Sequence, residues 1–243
     1  MLNKAKRVWA EDRTSEVPVH IIHHILCGDK LYVVQEMLVD QSLRSHIEQN
    51  LHIEQFILTY EDPKVDSHLD TWIELAVKLN VTVLWIHPPV LSSYSLPDVI
   101  YDAKKLKTML LRRCKFEFDI STTHVRFYCL EALSLINVHI SDAQLQRLIN
   151  RSPSIRTPRL LYCQGISKLH VFGLVHLKNL IVVSCKLNRV IVQAPNLQCF
   201  RYAEGTDYPC HIVNCYLGWL PYFTNTGAQW CQHHGPTVPG CVL

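Results

Sequence analysis

The sequence predicts an α/β solenoid: a curved parallel sheet with helices or irregular segments on its convex side, and a short N-terminal helical cap. Three observations predict it. A nine-residue apolar pattern returns at near-constant spacing, a capped amphipathic helix pattern lies between two of its copies, and the stretch "EVPVHIIHHILC" has the periodicity of a separate helix. A unit that cannot bury its apolar face alone becomes stable by stacking on neighbours, so a regular repeat fixes the architecture.

Four copies define the pattern. "LKTMLLRRC" from Leu106, "LEALSLINV" from Leu130, "IRTPRLLYC" from Ile155 and "LKNLIVVSC" from Leu177 align at starts separated by 24, 25 and 22 residues. Their anchors are Leu106, Met109, Leu111 and Cys114; Leu130, Leu133, Leu135 and Val138; Ile155, Pro158, Leu160 and Cys163; and Leu177, Leu180, Val182 and Cys185. Weaker copies, "IEQFILTYE" from Ile53, "VTVLWIHPP" from Val81 and "LQCFRYAEG" from Leu197, extend the series at spacings of 28, 25 and 20. These lie in the leucine-rich repeat range of about 20–29 residues. The chain is therefore divided into an N-terminal segment, 1–40, a leucine-rich repeat domain, 41–205, and an irregular tail, 206–243.

The anchor alternation puts two apolar side chains on one face of a short strand, and the following Cys or Val turns the chain inward. Cys114, Cys163 and Cys185 share one repeat position, which reads as a buried turn residue rather than a metal ligand. Between copies, "SDAQLQRLIN" from Ser141 carries a capping box with Gln144, with Leu145, Leu148 and Ile149 on one face and Pro153 closing it. A less regular helix is expected over "SHLDTWIELAVKLN", with Leu69, Ile73, Val77 and Leu79 partly inward. Pro158 stands inside a strand, where it removes a ladder donor, so local distortion is expected there.

The variable strand positions should form the concave surface. They are Leu110, Arg112, Ile136, Asn137, Arg159, Leu161, Tyr162, Ile181 and Val183, an apolar set mixed with charge, as expected of a partner-binding face. A register displaced by one residue, which would turn some of them into the core, stays open.

Composition excludes several classes. A net charge of +3, spread in short clusters such as Lys104, Lys105 and Lys107, gives no nucleic-acid footprint. No apolar run of about 18 residues supplies a membrane span and the first ten residues lack a secretory core, so a cytoplasmic or nuclear location with reduced cysteines is expected. The ending "GCVL" places Gly240 where a prenylated cysteine would stand. The tail residues Cys210, His211, Cys215, Cys231, His233, His234 and Cys241 fit no zinc spacing, and His20, His23 and His24 lack a third ligand. No phosphate loop, activated nucleophile or cofactor motif is present, so neither catalysis nor a cofactor or metal is expected.

The segments "LPDVIYDAKKLKTMLLRRCKFEF", "SDAQLQRLINRSPSI" and "APNLQCFRYAEG" resemble the repeat region of plant F-box/LRR proteins, including the FBD-associated group. That resemblance implies substrate recognition for an SCF-type ubiquitin ligase, with an N-terminal F-box binding a Skp-type adaptor and the repeats binding the protein to be modified. "EVPVHIIHHILC" is similar to the first helix of that F-box. It implies an adaptor-binding helix over 17–27 that uses Val17, Pro18, Ile21, Ile22, Ile25 and Leu26. An ordinary capping helix of the solenoid is the other reading. The basic, tryptophan-containing segment of a full F-box does not follow Gly28, so the F-box reads as truncated. A repeat-only binding protein, or a non-functional truncated relative, are then the alternatives to a ligase subunit.

Overall fold

The computed structural model describes residues 39–90, 94–116 and 127–203, and the backbone of residues 21–26, 32–38, 211–215, 222–224 and 227–231. After a first strand, Ile21–Leu26 (β1), each of the seven expected copies forms one strand. They are Gln55–Tyr60 (β2), Val83–His87 (β3), Thr108–Arg112 (β4), Ala132–Ile136 (β5), Thr157–Leu161 (β6), Asn179–Val183 (β8) and Cys199–Ala203 (β10). These eight strands lie side by side and parallel, in chain order. Alternation is strict: Met109, Leu111, Leu133, Leu135, Leu160, Leu180 and Val182 are buried, while their neighbours are half-buried or exposed.

Among the described residues three α-helices cover the other side of the core: Tyr32–Glu48 (α1), Asp66–Lys78 (α2) and Asp142–Asn150 (α3). In α3 the Ser141 hydroxyl accepts from the Gln144 amide while the Gln144 side chain accepts from the Ser141 amide, and Leu145, Leu148 and Ile149 are buried, as the capping box and periodicity predict. At its far end the buried Ser152 hydroxyl donates to the Leu148 carbonyl at 2.8 Å. Helix α2 buries Leu69 and Ile73 together with Trp72 and Ala76, while Val77 packs at the edge of the core. Both α1 and α2 end in an asparagine with positive φ, Asn50 and Asn80. The following amides, Leu51 and Val81, reach back to His46 and Ala76, so the last carbonyls are satisfied.

Later in the chain the return path changes form. Lys168–Phe172 (β7) and Arg189–Gln193 (β9) are parallel strands, and with His211–Cys215 (β11) they make a second sheet in the order β11, β9, β7. The cause is repeat length. A strand advances about 3.3 Å per residue and a helix about 1.5 Å, so the 22- and 20-residue repeats cross the convex side extended. The 28-residue repeat from Ile53 has room for α2.

Two expectations are corrected. The segment expected as a helix over 17–27 is a strand from Ile21 to Leu26, paired with β2 from Ile21↔Gln55 to Leu26↔Tyr60. The apolar spacing of "IIHHIL" suits either element, but its isoleucines are β-branched, and a neighbouring strand supplies a ladder that an isolated helix turn lacks. The helical cap is thus replaced by a β1–α1–β2 unit. Ile21 and Ile25 occupy one register set and Ile22 and Leu26 the other, so the four do not share a face as a helix would give them; Val17 and Pro18 lie outside the described residues.

The tail is the second correction. It contributes β11 to the convex sheet, while Gly227–Cys231 (β13) runs antiparallel to β10 and Tyr222–Thr224 (β12) antiparallel to β13. Short pairings against existing edges need no hydrophobic period, which is why the pattern missed them.

Pro158 fits the strand with a local cost. Its ladder to β5 is continuous, including Leu133↔Pro158, whereas the ladder to β8 begins only at Arg159↔Ile181. The Tyr162 amide donates to Val183 of β8 at 2.8 Å. Pro158 stands four residues earlier with the same strand parity, so the donor it lacks is one that would have faced β8.

Candidate functional site

The concave face is built from the strand residues that alternate with the core. In register across β2–β6, β8 and β10, its middle column is Ile57, Trp85, Leu110, Ser134, Arg159, Ile181 and Arg201. The column beside it, towards the strand ends, is Thr59, His87, Arg112, Ile136, Leu161, Val183 and Ala203. Trp85 is 38% exposed, and with its half-buried apolar neighbours it forms part of a contiguous apolar surface. Arg159 and Arg201 are exposed, and Leu110, Ile181, Ile136 and Leu161 are half-buried.

Beyond this column the chain makes the same turn in four repeats. Arg113, Asn137, Tyr162 and Ser184 have φ of 56°, 52°, 56° and 51°, the left-handed region that side chains other than Asn rarely adopt. Each donates its amide to the last carbonyl of the next strand: Ile136 at 2.9 Å, Leu161 at 2.8 Å, Val183 at 2.8 Å and Ala203 at 2.7 Å. The twist then points the following residue inward, and Cys114, Val138, Cys163 and Cys185 are all buried. Each cysteine thiol donates to the carbonyl two residues back: Arg112 at 3.3 Å, Leu161 at 3.8 Å and Val183 at 3.5 Å. Burial pushes the Cys114 thiol up to about 12. Cys163 is raised by its hydrogen bond with Cys185 and then by burial. Cys114 and Cys163 are therefore neutral packing residues, while Cys185 is lowered by the hydrogen bond from Cys163.

Electrostatics single out one end of the face. The Arg113 Nη1 lies 3.3 Å from His87 Nε2, and the His87 pKa is lowered by burial and then by Arg112 and Arg113, so the imidazole is neutral and accepts from Arg113. The Arg112 Nε is buried without a hydrogen-bond partner among the described residues.

Of the nine positions expected on the concave surface, seven (Leu110, Arg112, Ile136, Arg159, Leu161, Ile181 and Val183) alternate with the core on β4, β5, β6 and β8. Asn137 and Tyr162 instead occupy the left-handed turn at the rim, Tyr162 with 52% exposure. Sequence reasoning omitted Ile57, Thr59, Trp85, His87, Ser134, Arg201 and Ala203. The copies from Ile53, Val81 and Leu197 carry all but Ser134 of these, and the same alternation applied there would have found them. Among the described residues no three potential metal ligands converge.

One short parallel strand per 20–28 residues, stacked over a continuous core with a separate convex layer, defines a leucine-rich repeat solenoid. The chain belongs to the At1g61320/AtMIF1 leucine-rich repeat domain family, which matches residues 43–214. It is also similar to the F-box/LRR-repeat protein At5g02910 of Arabidopsis thaliana, at 24% identity over 232 aligned residues covering 84% of this chain and 50% of the relative. The chain thus spans about half the length of that curated relative. No solved structure matches it.

Proposed function

We propose that the chain is a protein-recognition module whose concave face engages a protein partner, and that it does not itself catalyse a reaction. The observation that carries this reading is the face itself: a broad sheet surface with Trp85 exposed among half-buried Leu110, Ile136 and Ile181 and flanked by arginines. Such a mixture is what recognition surfaces use for anchoring and for specificity. The finer reading is substrate recruitment to an SCF-type ubiquitin ligase through a Skp-type adaptor, in the cytoplasm or nucleus. Its support is likeness to a relative named as an F-box/LRR-repeat protein. A repeat-only binder, which competes for the same partners without delivering them, is the second reading. Strand β1 favours it, because it commits Ile21–Leu26 to the sheet.

Two measurements test the proposal. A photo-crosslinking residue placed at Trp85 should give discrete protein adducts in a plant cell extract, while one placed at the exposed Ala143 on α3 should not; equal labelling at both sites would sink the concave-face reading. Co-elution of the purified chain with a purified Skp-type adaptor is expected for the ligase reading. Separate elution at micromolar concentrations leaves the repeat-only binder.

A further inference from the structure

We propose that the concave face takes an extended protein segment carrying Asp or Glu side chains at about three-residue intervals; this rests on the reading of that face as a recognition surface. Charge complementarity carries the inference. Within the two columns the charged residues are Arg112, Arg159 and Arg201, and no Asp or Glu occupies any position. None of these three arginines is in an ion pair among the described residues. The nearby rim carboxylate of Glu131 is already engaged by Arg156 at 3.3 Å.

The Arg112 guanidinium has neighbours that leave it uncompensated. Arg113 donates to the neutral ring of His87 on β3, so the two cations Arg112 and Arg113 stand together at the end of β4 with no counter-ion among the described residues. A carboxylate arriving there would form charge-assisted hydrogen bonds of the strong, bidentate kind. Trp85 and Leu110, adjacent in the middle column, supply an apolar floor beside it.

Geometry sets the spacing. Arg112 and Arg159 stand two strands apart, as do Arg159 and Arg201, on β4, β6 and β10 with β5 and β8 between them. Two strand spacings are about 10 Å, which extended chain crosses in about three residues. Arg112 stands two residues further along its strand than Arg159 and Arg201 do on theirs, so a segment crossing the strands obliquely from Trp85 to Arg201 would meet three cations about three to four residues apart.

The experiment is selection of a displayed random library of peptides of about 12 residues on the purified chain, in about 0.15 M salt so that non-specific attraction is screened. The expected result is enrichment of peptides with net negative charge and acidic residues about three apart. A synthetic peptide of the enriched sequence should bind at least tenfold more weakly, in order of magnitude, to an Arg112→Gln, Arg159→Gln, Arg201→Gln variant, and unchanged to Arg189→Gln on the convex sheet. Unaltered thermal unfolding of the triple variant certifies its fold; the single Arg201→Gln variant, with a smaller expected loss, replaces it if that check fails. Enrichment of neutral or basic peptides that depend on Trp85 overturns the acidic partner and keeps the recognition reading. Failure to enrich any peptide, or binding indifferent to both Trp85→Ala and the arginine changes, overturns both.

Discussion

Arg113, Tyr162 and Ser184 occupy a backbone region that costs an L-residue about 1 kcal/mol, and none of them is the Asn or Gly that would reduce the cost. What holds them there is shared: an amide bonded to the next strand and a buried residue immediately after. Tyr162→Asn is therefore expected to raise stability by a few tenths to about 1 kcal/mol in urea unfolding, since Asn tolerates this region and Tyr162 is half exposed. The cysteines behind the turns yield a second test. Because burial raises the Cys114 thiol and Cys163 is raised beside Cys185, neither should react with iodoacetamide in native protein at pH 8, whereas exposed Cys129 should. Mass-spectrometric labelling of Cys114 and Cys129 at equal rates would contradict this. His87 supplies a pH dependence. Its pKa is lowered in the fold below the ordinary 6.5, so below about pH 6.5 the unfolded chain binds the proton more readily. Its contribution to stability is thus present above that pH and lost on acidification. His87→Asn should flatten this part of the stability profile between pH 7 and 5, and an unchanged profile would remove His87 as a cause.

At the scale of elements, a single carboxylate gathers three hydrogen bonds between the start of α3 and the start of β7. Asp142 accepts from the Ser167 amide at 2.6 Å, the Ser167 hydroxyl at 2.7 Å and the Lys168 amide at 3.0 Å. Burial works against its charge, yet these donors and the Lys168 charge hold it below the usual carboxylate range. Gly165 belongs to the same junction. Its φ is +84°, and a Cβ there would sit 2.8 Å from the Ile140 carbonyl oxygen. Gly165→Ala is expected to cost about 1–3 kcal/mol in urea unfolding, through both the conformation and the close approach; an unchanged midpoint would show that the junction relaxes freely. These elements differ in how far they could be read beforehand. The strands at Leu106, Leu130, Ile155 and Leu177 and the capped helix at Ser141 carry their periodicity locally, so the residues sufficed. Strands β7 and β9 carry only short alternations, Leu169 with Val171 and Val190 with Val192, and their identity follows from repeat length and a pairing partner far along the chain. Strand β1 failed for the opposite reason, because its apolar spacing was compatible with both periods and the neighbouring β2 decided between them. On the candidate face, Leu110 and Ile181 were legible from strand alternation, whereas of the two left-handed turns that moved residues to the rim only the one at Asn137 has a side-chain signature, and the one at Tyr162 has none.

Over the whole molecule, each rung of the stack contacts chiefly its neighbours, so local damage should stay local. In such a one-dimensional assembly stability is close to a sum of unit and nearest-neighbour terms, unlike a globular core where one cavity weakens everything. Leu135 is fully buried in β5, between β4 and β6. Leu135→Ala removes three side-chain carbons from a site that cannot collapse without shifting both neighbouring strands, and is expected to cost about 2–5 kcal/mol. Hydrogen exchange followed by mass spectrometry locates that loss. Amides of β4, β5, β6 and α3 should exchange faster, while those of β2 and α2 at one end and β9 and β10 at the other change far less. A uniform acceleration along the chain would mean that the rungs open as one unit, and the nearest-neighbour description would then fail. The localised outcome bears on recognition, because a partner spanning β3 to β10 would couple rungs that the fold alone leaves loosely joined. Bound partner should therefore reduce the Leu135→Ala effect most at the rungs it bridges, a difference that exchange measured with and without peptide would resolve.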